Sequence, residues 1–315
     1  MNRNLLIDFI RSLLIILVIL VHIVHWGDLY PNVKSMILAF LMPTFLIVTG
    51  FLVNIDKSVK QFSAYLLKIT LPYVIMVCCY MIISTFLPVR DGVQNLDIGT
   101  FYKVLLITSI GPYWFFKVMI LCGICYYSVF NIKRNKKKKD EDIFIRYLML
   151  AIVLLLLSLY TPFLSIKCAI YYFIGVGLRL SIKDFKKICI GTFWSLIPLL
   201  IILSNMEWRE WEMIYVLFCV VCFLSIATKM FNLFSNKKIC NMMLYIGRNT
   251  LPIYAFHPIF TMLSKYTTTY FNFDYTGCLH AIFTIALCII GSLLLAKFMD
   301  VTHCSYIFGR RTILR

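Results

Sequence analysis

"RSLLIILVILVH", residues 11–22, sets ten almost wholly apolar residues between an arginine and a histidine. Such a run belongs in hydrocarbon, where the backbone must satisfy its own polar groups and an α-helix does so within one segment. Eleven residues of helix rise about 16 Å and turn about 1100°, three turns plus roughly 20°. Arg11 and His22 therefore share one face, a fixed cation at one end and a titratable base at the other. Ionisable groups inside a membrane helix are costly and usually face a cavity or a partner. Asp8 lies three residues before Arg11, within pairing reach. Two readings stay open on this helix alone. Arg11 is a snorkelling partner of Asp8 with His22 at the interface, or the face binds an anionic donor and carries chemistry at its far end.

The rest of the chain has the same character. It has 315 residues, 61% hydrophobic and 14% charged, with a mean hydropathy of +0.87. A soluble domain of this size needs far less apolar surface, so the composition indicates an all-α integral membrane protein. Ten stretches suit spans, at roughly 5–26, 33–54, 63–87, 112–131, 143–160, 163–180, 187–205, 212–232, 249–266 and 277–298. The segment 97–111 is apolar but short, and is read as interfacial.

Charge sets the expected orientation. With ten spans and both termini cytoplasmic, 24 of the 31 basic residues fall inside and 7 outside, while the 14 acids divide evenly. The inner side then carries the whole formal charge of +17. That bias is the positive-inside rule. It points to anionic inner-leaflet lipid as a partner, and not to nucleic acid. The run "KRNKKKKDED" (133–142) reads as a solvated inner loop, and "EWREWE" (207–212) as an outer loop that anchors at the interface or binds sugar. Twelve cysteines are scattered through apolar segments; Cys122/Cys125 and Cys219/Cys222 have CxxC spacing without nearby histidine or acid ligands, so they read as small buried hydrophobes rather than a metal site. No internal repeat or signal-peptide cleavage pattern is evident. Residues 1–315 read as a single transmembrane domain with no appended soluble domain.

Five stretches together resemble the acyltransferase-3 family of membrane acyltransferases. "LLIDFIRSLLIILVILVH" (5–22) resembles the family's opening, with Asp, Arg three later and His eleven after that. "FLMPTFLIVTGFLV" (40–53) is similar to its second span, "LLKITLPYV" (66–74) to its basic approach to the third, and "PYWFF" (112–116) to the start of its fourth. "IGRNTLPIYAFHPIF" (246–260) is similar to its late signature. The sequence departs from the family pattern at Leu41, where a histidine is usual, at Thr49 for serine, and at Lys68, where paired arginines are common.

The resemblance implies transfer of an acyl group, commonly acetyl, from cytoplasmic acyl-CoA to a hydroxyl of a surface polysaccharide or lipid-linked glycan. No cofactor is expected beyond that donor substrate. Arg11 and Lys68 lie at inner helix ends where its phosphates would dock. The rise from Arg11 to His22 is comparable to an extended pantetheine arm. His22 would act as general base, its ordinary pKa of about 6.5 suiting proton transfer near neutrality. Asp8, about 21 Å along the helix from His22, is the structural partner of Arg11, so whatever orients His22 should come from another span. His257 is a second catalytic candidate or interhelical glue, and Arg248 with Asn249 assist donor binding or cap a helix. Lys117 and Lys167 read as snorkelling residues, and Tyr113 and Trp114 as interfacial aromatics. A glycan transporter or export component with the same helical body is the rival function. The oligomeric state is not legible.

Overall fold

The computed structural model describes residues 4–86, 92–93, 96–131, 140–182, 184–205, 213–235 and 237–315, without the side chains of 140–142. The basic run 133–139, the outer stretch 207–212 and Arg90 lie outside the described residues. Every regular element among those described is helical. The α-helices are α1 (Leu5–His22), α2 (Val24–Leu29), α3 (Pro31–Leu52), α4 (Val59–Ser84), α5 (Ile98–Tyr102), α6 (Trp114–Asn131) and α7 (Asp140–Tyr160). They continue with α8 (Ile166–Ser181), α9 (Leu196–Ser204), α10 (Met213–Phe234), α11 (Lys238–Arg248), α12 (Thr250–Ser264) and α13 (Cys278–Val301).

Seven helical stretches among the described residues are long and apolar enough to cross a membrane: Leu5–His22, Pro31–Leu52, Val59–Ser84, Gly111–Asn131, Ile143–Tyr160, Met213–Phe234 and Cys278–Val301. The other three expected spans hold shorter helices, α8 with 16 residues, α9 with 9 and α12 with 15. At about 1.5 Å per residue, none of these matches a hydrocarbon core of roughly 30 Å. The expected span 249–266 begins where Asn249 leaves helical geometry, ending α11 and starting α12, and its α-helix stops at Ser264.

Helix boundaries follow local chemistry. Asn4 caps α1, accepting from Leu6 N at 3.1 Å. Ser58 and Gln61 form a capping box at the start of α4. α1 stops at His22 because Ile23 turns extended (φ −75°, ψ 109°) and buries its side chain with Trp26 and Ala281.

The chain divides into two compact units. The first holds the chain up to Phe45, Ile182–Ser305 and Thr312–Arg315; the second holds Leu46–Ser181 and Tyr306–Arg311. In the first unit α1 packs on α11 through Gly247, where an added Cβ would sit 1.8 Å from the Asp8 carbonyl oxygen. Only glycine allows backbones so close. α12 packs on α13 in the same unit, with Phe260 filling the space over Gly291.

In the second unit the end of α3 crosses α8 by a glycine pair: a Cβ on Gly50 would lie 2.3 Å from Tyr172 O, and one on Gly175 would lie 2.2 Å from Ile47 O. α4 and α6 are joined by Phe62 stacked on Tyr127 at 3.7 Å. Pro72 interrupts α4 and leaves the Lys68 carbonyl without its usual i+4 amide donor. Arg310, only 8% exposed, donates from Nη2 to that carbonyl at 2.9 Å.

Tyr113 is not an interfacial aromatic. It is fully buried, edge-on to Tyr80 at 5.8 Å, because Ser109 and Gly111 take positive φ and fold the following turn onto α4. Lys117 spends its ammonium inside the unit as well, on the Ile107 carbonyl.

Candidate functional site

The first unit brings together six of the seven singled-out residues: Asp8, Arg11 and His22 on α1, and Arg248, Asn249 and His257 at and beyond the end of α11. Lys68 belongs to the second unit, exposed on α4.

At the N-terminal end of α1, Asp8 is buried at 5% exposure between two guanidinium groups. Arg11 Nη1 lies 4.0 Å from Asp8 Oδ1, and Arg248 Nε lies 4.0 Å from Asp8 Oδ2. The approach at Gly247 sets this triad, since it seats Arg248 beside Asp8. One carboxylate between two guanidiniums leaves an excess positive charge, and both arginines keep substantial exposure, 28% and 37%. An arginine held this way presents a planar fork suited to phosphate oxygens. Arg248 is therefore a partner of the Asp8–Arg11 pair.

Asn249 serves the backbone. Its Nδ2 donates to Tyr245 O at 2.9 Å and to Arg315 O at 3.3 Å, and its Oδ1 accepts from Arg315 N at 2.8 Å. Asp300 holds the neighbouring residues, accepting from Ile313 N at 2.7 Å and Leu314 N at 3.0 Å.

At the other end of α1, His22 and His257 meet edge to face, with ring centroids 5.3 Å apart at 75°. His22 Nδ1 lies 2.6 Å from the Val18 carbonyl. A carbonyl only accepts, so Nδ1 carries the proton and the neutral ring keeps its basic lone pair on Nε2. Its own helix thus supplies one group that orients His22, the Val18 carbonyl, beside the His257 ring from α12.

His257 is fixed the same way for a different reason. Pro258 has no amide hydrogen for Tyr254 O, and His257 Nδ1 takes that carbonyl at 2.9 Å, with Ile253 O at 3.2 Å. His257 is fully buried, and its Nε2 has no hydrogen-bond partner among the described residues. Two imidazoles whose carbonyl-locked tautomers leave the lone pair on Nε2 form a site able to take and return a proton.

The sequence reading did not single out His280. His280 on α13 is 1% exposed and stands edge-on to His25 at 5.6 Å, with its Nε2 3.2 Å from Ser264 O. A second imidazole pair thus follows the first one turn along the chain from His22. The signal available was the four-residue spacing of His280, Thr284, Cys288 and Ser292, the polar and small positions of α13, all of them buried.

A family model described as an acyltransferase domain, that of the acyltransferase-3 family, matches residues 4–297. No curated protein and no solved structure matches the chain.

Proposed function

Since the chain belongs to the acyltransferase-3 family, and is thereby a multi-pass membrane acyltransferase, we propose that it moves an acyl group, acetyl by preference, from cytoplasmic acyl-CoA to a hydroxyl of a surface polysaccharide or lipid-linked glycan. The observation that carries the proposal is the pairing of His22 with His257 in the unit where α1 and α11 also form the Asp8–Arg11–Arg248 triad. His22 Nε2 takes the proton from the acceptor hydroxyl as its oxygen attacks the thioester carbonyl carbon. The C–S bond breaks, an ester forms, and His22 returns the proton to the departing thiolate, so that the thiol of CoA leaves. His257, with Nε2 buried beside that ring, supports the exchange. The excess positive charge at Arg11 and Arg248 attracts the donor's phosphates. Asn249 holds Arg248 in register through the backbone it ties. Lys68 is proposed as a phosphate contact on the second unit. The inner placement of both termini, ten crossings and residence in the cell membrane belong to this reading, and the basic-residue bias supports them.

The test is proton NMR of the surface glycan from wild-type and deletion strains. Loss of the acetyl signal with unchanged glycan export supports transfer. Loss of export with acetylation intact on the retained glycan supports a transporter and overturns the reading.

A further inference from the structure

Residues 97–114 of the second unit, which no step above uses, fold into a walled cavity. Asp97 caps α5, accepting from Thr100 N at 2.6 Å and Thr100 Oγ1 at 2.9 Å. α5 then widens into a π-helix over Lys103–Thr108. Helices of that kind are rare and recur at functional sites. Two side chains pin its carbonyls: the Tyr73 hydroxyl donates to Leu105 O at 2.6 Å, and Lys117 donates to Ile107 O. At its end Ser109 takes φ 64°, ψ 175°, a region almost reserved for glycine. A serine persists there only when its surroundings hold it, and such residues cluster at binding sites. Ser109 is buried beside the Tyr73 phenol, which donates its own proton to Leu105 O.

The cavity these residues enclose measures about 520 Å³ and is open on one side. Among the described residues its lining combines Trp114, Thr100, Thr108, the exposed Lys103, Val104, Ser109 and Gly111. An aromatic face covers the C–H face of a pyranose ring, hydroxyls exchange hydrogen bonds with its alcohols, and an ammonium pairs with a carboxylate. The charge bias puts this segment on the outer side.

The geometry points to a carbohydrate subsite at Trp114, Lys103 and Thr108 that takes a uronic-acid sugar. It rests on the glycan-acylation reading and names the acceptor's chemical class. The full-length protein in phosphatidylcholine nanodiscs is titrated with a tetrasaccharide of alternating glucuronic acid and N-acetylglucosamine, and with neutral chitotetraose. The wild type binds both and favours the acidic sugar. Trp114→Ala weakens both by about tenfold or more, while Trp114→Phe, which keeps a ring, stays near wild type. Lys103→Gln removes the acidic preference and leaves chitotetraose binding unchanged.

Binding of neither sugar, or variants that bind like wild type at equal thermal stability, overturns the subsite. So does loss of the Lys103 effect when phosphatidylglycerol replaces phosphatidylcholine, which makes the cavity a headgroup site. His22-dependent glycan acylation with no oligosaccharide binding overturns the subsite and spares the acyltransferase reading. Trp114-dependent binding in a protein that transfers no acyl group does the reverse.

Discussion

Pro258 has no amide hydrogen to offer the Tyr254 carbonyl, and the His257 ring takes its place at 2.9 Å. A helix-breaking residue thereby becomes a device for fixing a tautomer: the bond keeps the proton on Nδ1 and Nε2 basic. Substituting Pro258→Ala restores an amide that competes for the carbonyl. Helix propensity favours alanine by about 3 kcal/mol in a helix interior, so thermal stability should hold or rise. Acyl transfer should nonetheless fall by roughly tenfold, a part of the 10²–10⁴ that a positioned base contributes. Unchanged transfer rates in this variant would show that His257 works without the carbonyl. Sequence alone shows the His-Pro dipeptide and its i−3 and i−4 carbonyls, but not that His22 stands opposite. That contact joins residues far apart in the chain, and no local periodicity encodes it. The Asp8–Arg11 pair was legible because it is a neighbour contact on one helix, whereas the part of Arg248 depends on Gly247 touching the Asp8 backbone.

α4 shows the same rule at the next level. Pro72 removes the donor for Lys68 O, and Arg310 replaces it from 242 residues away. A charged donor on a buried carbonyl contributes about 1.5–3 kcal/mol. Arg310→Met should therefore lower stability by that order in urea or thermal unfolding. In a Pro72→Ala background, where the restored backbone amide serves Lys68 O, the same change should cost much less. Equal losses in both backgrounds would mean that Arg310 acts elsewhere. The proline was visible as an interruption of an apolar run, while its remedy was not, because Arg310 had been read only as one more inner-side charge. Apolar runs also overstate element length. The run 249–266 starts where Asn249 bonds the backbone at Tyr245 and Arg315, yet its α-helix covers only Thr250–Ser264. The long elements, by contrast, follow directly from composition: α1, α3, α4, α6, α7, α10 and α13 lie where unbroken apolar runs predict helices.

Across the molecule the same division holds. An all-helical membrane architecture was legible from hydropathy, since lipid leaves few other ways to satisfy a backbone; the shorter helices α8, α9 and α12 occupy three of the expected runs without reaching a span's length. The proposed orientation makes a topological prediction. Reporter fusions after Lys137 should read cytoplasmic and fusions after Asp97 extracytoplasmic, and reversal at either position contradicts both the ten-span reading and the outer placement of the sugar cavity. The central claim concerns His22, set one helix length from the arginine triad and oriented by the Val18 carbonyl. Its most direct test is acyl transfer from labelled acetyl-CoA to glycan in membranes carrying wild-type, His22→Gln or His22→Ala protein at matched abundance and thermal stability. Both variants should lose about 10²–10⁴ in rate, glutamine no better than alanine, because hydrogen bonding without proton transfer does not replace a general base; glycan acylated at the wild-type rate by His22→Ala protein would contradict the account.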